Sequence, residues 1–378
     1  MIYFDNSATT VVLPAAAEAA NKYMLEQYFN PSAAYSAAVQ ADRDVTQARA
    51  SIAKRLNAEA SELVFTSCGT ESNNTALYGT LRAVHGKCRV VVSMVEHPSV
   101  YEAALDLKER GYDVVFVGVD QTGRVKPDEL EAALTPDTRL VSIMHVNNET
   151  GAINDINAFY QLVKKRAPEA YLHVDGVQAF MKLPPVTCDM YSVSGHKLHA
   201  PKGVGALYVK KGVKIKPYLI GGGQESGMRS GTTNAAGIMA FSAAVTDFDA
   251  HADEYRSGML AVKKRLYNNL SRMRDIRLNG PDIESAAGHI LNVSFLGVRG
   301  EVLMNALSEK GVYVSTGSAC AAHKRGKNRI LTAMGILGDR QESAIRFSFS
   351  HYNTAAEADA AAQLIEEQVN LLRRFKRR

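Results

Sequence analysis

The sequence predicts an α/β protein: a large domain with a mostly parallel mixed sheet sandwiched by helices, joined to a smaller α+β C-terminal domain. Three observations lead there. Short β-branched runs alternate with helical patterns from about residue 60 to 210. A long helical stretch over residues 233–274 then leads away, and the rest of the chain mixes a few strand patterns with an amphipathic terminal helix. Strands that alternate with helices return by crossover connections and so pair in parallel. The expected division is residues 15–250 for the large domain, with 1–14 and 251–378 forming the small one.

In chain order, strand runs fall at residues 62–66, 89–93, 113–119, 139–146, 170–174, 189–193 and 205–209. Several are near-continuous in Val, Leu, Phe or Tyr, as buried parallel strands should be. Amphipathic stretches at 98–110, 127–134 and 153–166 lie between them. Beyond the long helical stretch come strand runs at 289–295, 312–314 and 344–350, with a helix near 301–310. The terminal helix opens on Thr354 with Glu357 three residues later, a capping-box pattern. It continues with Ala361, Leu364, Ile365, Leu372 and Phe375 at helical spacing, and Arg373, Arg374, Lys376, Arg377 and Arg378 suit its negative end.

Composition removes several function classes. The 378 residues are 46% hydrophobic and 22% charged, ordinary values for a globular protein. A net charge of +5 without a long basic tract in the body gives no expectation of direct nucleic-acid binding. Met1-Ile2-Tyr3-Phe4-Asp5 lacks a basic segment followed by an apolar one, and no apolar run approaches the ~20 residues of a membrane span. The four cysteines, Cys68, Cys88, Cys188 and Cys320, show no C-x-x-C spacing. Structural zinc and disulfides are therefore not expected, no metal ligands are assigned, and a reducing, cytoplasmic setting is.

In open α/β sheets ligands bind beyond the carboxyl ends of the strands. Residues 67–71, Glu96-His97, 147–149 and 175–178 all fall there. The most informative pair is Asp175, closing the run 171–175, and Lys197, 22 residues on in Ser194-Gly195-His196-Lys197. A lysine amine beside hydroxyl and imidazole donors, with a carboxylate from a separate strand end, suits pyridoxal 5'-phosphate (PLP). The amine condenses with the aldehyde and the carboxylate keeps the pyridine nitrogen protonated. For either residue alone, a surface lysine or a strand-end aspartate is the better reading. Residues 65–74 read as strand, small-residue turn and helix start, presenting backbone N–H groups and Thr70 to a phosphate. That turn alone is a weak signal. His97 suits stacking on a flat ring and proton transfer, although a lone histidine is more often structural. Asn148 and Gln178 suit a ring oxygen; the plain alternative for the asparagine is a turn. The shared location of these groups outweighs each plain reading.

With these residues in place, the chain resembles the PLP-dependent cysteine desulfurases of the NifS/IscS type within the class V aminotransferase superfamily. The resemblance runs through residues 3–10, 65–74, Glu96-His97-Pro98, 147–151, 173–178, 194–205, 221–225, Arg229-Ser230-Gly231-Thr232, 315–320 and 345–348, in family order. It implies PLP-dependent fold type I. It also implies that Lys197 carries the cofactor, Asp175 pairs with the pyridinium, and Gln178 and Asn148 contact the ring oxygen side. His97 would stack over the ring, while Gly69, Thr70, Ser194 and His196 bind the phosphate. Thr232 would reach the phosphate of a partner subunit in a homodimer. Arg346 would grip the substrate carboxylate, with Asn30 and Asn148 assisting.

PLP and a carboxylate-binding arginine specify amino-acid chemistry, not which reaction. Cys320, in the small-residue run 315–322 and followed by His323, Lys324, Arg325, Lys327 and Arg329, makes that choice. Nearby cations favour the thiolate, the nucleophilic form. The expected activity is conversion of L-cysteine to L-alanine, with a persulfide formed on Cys320. Sulfur then passes to acceptor proteins such as an iron–sulfur scaffold or tRNA-thiolation proteins. Cys88 and Cys188, beside strand runs, read as inert. The basic run after Cys320 reads equally as a docking surface for an acidic acceptor or as a solvated loop. A selenocysteine lyase or another class V enzyme is the near alternative, and a non-catalytic sulfur-transfer scaffold the distant one. Three positions depart from the family's usual pattern: Tyr35 where His is common, Ser226 where Arg often follows Gln-Glu, and Cys68 in the phosphate turn.

Overall fold

The computed structural model describes residues 1–84, 86, 88–317 and 328–375. The chain opens with strand β1 (Ile2–Tyr3), which pairs in parallel with Val312–Tyr313, so the N-terminus is stitched to the far end of the sequence. Helix α1 (Pro14–Leu25) starts with a proline in its first turn, where no backbone donor is needed. Helix α2 (Ser36–Lys54) buries Ala38, Ala41, Val45, Ala48 and Ile52, alternating steps of three and four. Neither helix stands out in the sequence. Their buried faces are mostly alanine, which contrasts weakly with the polar side.

The central sheet holds β2 (Leu63–Thr66), β3 (Arg89–Ser93), β4 (Asp113–Val117), β5 (Thr138–Ser142), β6 (Tyr171–Asp175), β7 (Met190–Ser194) and β8 (Gly205–Val209). Their order is β2-β8-β7-β6-β5-β3-β4, and only β8 runs against the others. Helices α3 (Gly69–Ala83), α4 (Pro98–Glu109), α5 (Pro127–Ala133) and α6 (Ile156–Arg166) lie between consecutive strands, as the alternating pattern requires. All seven expected strands are present. β5 ends at Ser142, short of the expected 146. The chain still bonds β6 through Ile143 N to His173 O (3.1 Å) and His145 N to Asp175 O (3.0 Å). On the other edge, however, Met144 N donates to the Glu96 carboxyl at 2.7 Å, so a side chain replaces strand β3 there.

The helical stretch 233–274 divides at His251 into α7 (Ala235–Ala250) and α8 (Ala252–Leu270). Beyond it lie β9 (Ile276–Leu278), β10 (Ile290–Phe295), α9 (Gly300–Glu309), β11 (Val312–Tyr313), α10 (Arg329–Ala333), α11 (Gly338–Glu342), β12 (Ala344–Ser348) and α12 (Ala355–Phe375). Strands β12, β10 and β9 form an antiparallel sheet, and bridges Asp5–Ser348 and Ser315–Arg346 join it to β1 and β11. Phe4 is fully buried, its ring 5.1 Å from that of Phe349. These N-terminal contacts support assigning residues 1–14 to the small domain, and we propose the division at 15–250 on that basis. The expected capping box of α12 forms, with Thr354 N to Glu357 Oε2 at 2.9 Å and Glu357 N to Thr354 Oγ1 at 3.1 Å. Phe375 is exposed, so the apolar stripe does not reach the end of that helix.

Candidate active site

The carboxyl ends of β2, β3, β5, β6 and β7 converge on a cavity of about 770 Å³. Helix α3 points its N-terminus into it. Its N-cap, Cys68, makes no side-chain capping bond, so the first-turn N–H groups remain directed at an incoming anion. Gly69 makes the approach possible: a Cβ there would lie 2.7 Å from Val177 Cγ2. Ser194 Oγ, at the end of β7, is buried without a hydrogen-bond partner among the described residues. His196 lies alongside with Nδ1 3.2 Å from Thr9 Oγ1, and burial, then the charges of Lys197 and Lys202, push its pKa down to about 3. Gly69, Thr70, Ser194 and His196 all line the cavity.

Asp175 is buried at the tip of β6, where its two oxygens take separate donors: Val177 N at 3.0 Å and Asn73 Nδ2 at 2.8 Å. The same Asn73 amide donates to Ser99 Oγ (2.8 Å), which is 2.8 Å from His97 Nδ1. His97 also caps α4, its Nδ1 accepting from Ser99 N at 3.2 Å. With Nδ1 accepting, the proton resides on Nε2. Burial, then the nearby Lys197 and Arg329, hold the imidazole neutral against the opposing pull of Asp175. Asn73 therefore couples the two groups the sequence singled out. No local pattern marks it beyond its place in the first turns of α3.

Across the cavity, Lys197 Nζ donates to Ser7 O and Ala8 O, each at 2.6 Å. Gln178 Nε2 donates one hydrogen to Ser7 O (3.1 Å) and retains a second, while Gln178 Oε1 and Asn148 Oδ1 are buried and unpartnered among the described residues. Arg346, 5% exposed, donates from Nη2 to Asp5 Oδ1 (2.7 Å) and from Nη1 to Asn148 O (3.1 Å); its Nε is buried and unpartnered. An anion cradle, a doubly held carboxylate, an amine and several orphaned polar atoms fit a phosphorylated pyridine aldehyde. The Asp5 partner of Arg346 was not foreseen.

Two further charged groups, Glu149 and Arg329, line the cavity, and a third, Glu96, is buried next to the lining residue His97 in the chain. Glu96 is fully buried, accepting from Ser93 Oγ (2.5 Å) and Met144 N (2.7 Å); burial lifts its pKa to about 8. Glu149 is buried, and burial, opposed by Asn328, Arg346 and Arg329, lifts it to about 7. The Arg329 guanidinium lies 3.8 Å over the Tyr101 ring and donates to the Met94 and Glu96 carbonyls. It is thus turned inward rather than available as a docking cation.

Other expected residues fall elsewhere. Thr232 is exposed beside a separate depression of about 200 Å³ that Ser67, Gly203 and Arg229 also line. Asn30 is exposed, its Oδ1 accepting from Ser32 N at 3.0 Å, and it does not border the main cavity within this protomer. Cys320, together with His323, Lys324, Arg325 and Lys327, lies outside the described residues. Cys88 and Cys188 are buried, and burial raises both thiols, in keeping with an inert role. Cys68 borders the cavity, whereas Tyr35 is exposed at the start of α2 and Ser226 is exposed with a left-handed backbone (φ 54°). Among the described residues no group of three or more His, Cys, Asp or Glu side chains is arranged to hold a metal ion.

Comparison with known proteins fits this geometry. Residues 2–361 match the aminotransferase class-V family. A cysteine desulfurase of Nostoc sp. is 39% identical over 378 residues, covering 99% of this chain and 94% of the relative. Among solved structures, a NifS-like protein superposes with a TM-score of 0.92 at 37% identity, covering 98% of this chain and 99% of that one. The structure of SspA in complex with cysteine superposes with a TM-score of 0.81 at 31% identity, covering 94% and 100%.

Proposed function

The chain belongs to the cysteine desulfurase family of class-V aminotransferases, and from that premise we propose that it converts L-cysteine to L-alanine with PLP, collecting the sulfur as a persulfide on Cys320. The observation that carries this reading is the convergence of Lys197, Asp175, His97 and Arg346 on one cavity. When bound, PLP supplies an electron sink conjugated to the substrate's α-carbon. Asp175, fixed by Asn73 and Val177, keeps a proton on the pyridine nitrogen. The first turn of α3, with Thr70, Ser194 and His196, holds the phosphate. Gln178 and Asn148 address the ring oxygen.

Lys197 holds the cofactor and moves the α-proton. Arg346 takes the substrate carboxylate; its unpartnered Nε is the edge that an α-carboxylate would occupy. His97, held neutral, accepts and returns the thiol proton. The Cys320 thiolate attacks the substrate sulfur. The S–S bond forms as the Cβ–S bond breaks, and the electron pair stays with carbon, which takes up a proton to give alanine. The relative solved with cysteine supports this choice of substrate.

The working form is a homodimer in which Thr232 of each protomer reaches the other's phosphate, consistent with its position outside the cavity of its own chain. Sulfur passes on to acceptor proteins of the iron–sulfur scaffold or tRNA-thiolation type. The unpaired state of Cys68, Cys88 and Cys188 and the need for a free Cys320 thiolate favour the cytoplasm. No described helix is long and apolar enough to cross a membrane. Transfer of labelled sulfur from L-cysteine tests the assignment. Native protein should label Cys320 and then an acceptor, and Cys320→Ala should label neither. Label reaching acceptors from Cys320→Ala would overturn it.

A further inference from the structure

Strand β2 lies at one end of the central sheet, beside β8, so the donors on its open side must find partners elsewhere. Phe65 N and Ser67 N are two such donors, two residues apart along that edge. Each is taken by a carboxylate rather than by backbone. Glu225 Oε2 accepts from Phe65 N (2.8 Å), and Glu71 Oε2 accepts from Ser67 N (2.8 Å). Each carboxylate also has its own arginine. Arg49 grips Glu225 through both oxygens (2.5 and 2.8 Å), donates to Leu63 O (2.8 Å) and lies 4.6 Å over the Phe65 ring. Arg229 Nε donates to Glu71 Oε1 at 2.9 Å, and its Nη2 to Oε2 at 3.4 Å.

The second of these pairs stands at the phosphate cradle. Glu71 is the third residue of α3, and Gly69 and Thr70 just before it both line the cavity. A glutamate at that position of a helix ordinarily reaches back to the backbone N–H of the N-cap residue. There it would set a negative charge against the donors an anion needs. Here the carboxylate is drawn one residue further back, to Ser67 N, and outward to Arg229, while Ser194 Oγ stays without a partner among the described residues. The Glu71 side chain is 8% exposed. Burial would raise its pKa, but the hydrogen bonds from Arg229 and Ser67 overcome that and hold it below the usual carboxylate range. A negative charge therefore persists beside an anion site, and Arg229 balances it. The segment that Glu225 pins to β2 delivers Arg229 there, with Met228 N donating to Glu225 O at 3.0 Å.

We propose that Arg229 is a positioning residue for the cofactor phosphate: by holding the Glu71 carboxylate against the edge of the sheet, it keeps the first turn of α3 open to an anion. The inference rests on PLP occupying the cavity, and the test separates the two. The full-length chain, stripped of cofactor, is titrated with PLP and with pyridoxal, which has the same ring and aldehyde but no phosphate. Absorbance follows binding. Arg229→Gln should weaken PLP roughly tenfold or more and pyridoxal by no more than about twofold. Glu71→Gln, which still accepts from Ser67 N and has no charge to balance, should bind PLP within about twofold of native. Adding Glu71→Gln to Arg229→Gln should restore most of the PLP affinity, whereas adding it to Thr232→Ala should restore none.

Arg229→Lys, which keeps the charge but not the two-point grip, should weaken PLP roughly three- to fivefold with pyridoxal unchanged, and it carries the test if Arg229→Gln does not fold. PLP affinity unchanged in either arginine variant, an equal loss for pyridoxal, or a double variant as weak as Arg229→Gln would overturn the proposal. A purely structural ion pair gives that last result, because breaking it from either side costs the same. Native chain that binds PLP tightly alongside an unimpaired Arg229→Gln defeats this inference alone. Native chain that binds PLP no better than pyridoxal, with no absorbance lost on Lys197→Ala, defeats the parent reading.

Discussion

The strand-end side of the cavity and the side contributed by the C-terminal region hold their polar groups by different means. On the strand-end side, Asp175 and His97 each take a backbone N–H donor within two residues, from Val177 and Ser99, and the parallel ladder fixes where those residues stand. On the other side, Arg346 stands opposite Asn292 in an antiparallel sheet but is aimed by Asp5, 341 positions earlier, while Asn328 is tied to Glu149 across 179 positions. The first side is an inherited consequence of sheet geometry. The second is assembled from single side-chain ties, each removable by one substitution. The strand-end side should therefore fail chemically while staying in place, and the opposite side should fail by losing its aim.

The largest effect should come from Asp175→Asn. The amide is nearly isosteric, but it cannot carry the charge that keeps a pyridine nitrogen protonated. Its NH₂ must also face either Val177 N or Asn73 Nδ2, both donors. Turnover should fall by roughly 10²–10³-fold with little change in melting temperature. Steady-state kinetics beside thermal unfolding checks this, and near-native turnover would show that Asp175 is not the ring partner. Next comes Arg346→Lys on the opposite side. A lysine cannot both pair with Asp5 and present a fork to a carboxylate, so kcat/KM for cysteine should drop roughly 10–100-fold, mostly through KM. A loss confined to kcat would remove Arg346 from substrate binding. Asn73→Ala should cost less, about tenfold in kcat, because Asp175 keeps Val177 N. It should also shift the acidic limb of the pH–rate profile, since His97 loses a neighbour of its Ser99 partner.

The same contrast explains what the sequence made legible. The seven strands and the residues beyond their ends could be read because each polar group sits next to an apolar run. Asp175 closes β6, His97 follows β3 and Ser194 closes β7. The ties on the opposite side leave no such trace. Asp5 carries no assigned role in the sequence and Glu149 reads as part of a turn, until the fold sets them beside Arg346 and Asn328. Helices α1 and α2 were missed for another reason: alanine faces such as Ala16 and Ala20 bury little apolar surface, so their period is faint.

The mildest prediction concerns stability rather than turnover and tests how finely the strand-end side is adjusted. Glu96 is buried beneath Met144 with its pKa raised to about 8 by desolvation, against an ordinary value near 4.5. The folded protein thus keeps a proton that the unfolded chain releases. For a raised pKa, the stabilisation is full below the unfolded value and is lost as pH rises through the folded one. Between pH 5 and 8 the native protein should therefore lose on the order of 1 kcal/mol per pH unit from this group, with Glu149 adding to the slope up to about pH 7. Glu96→Gln mimics the protonated acid: its Oε1 can still accept from Ser93 and Met144 N, and its amide nitrogen replaces the protonated Oε2. Denaturant unfolding across that range should give the variant a shallower pH dependence, equal to native near pH 5 and more stable than native at pH 8. Parallel curves for the two proteins would mean that Glu96 is ionised in place, compensated by the Arg329 guanidinium that donates to its own carbonyl.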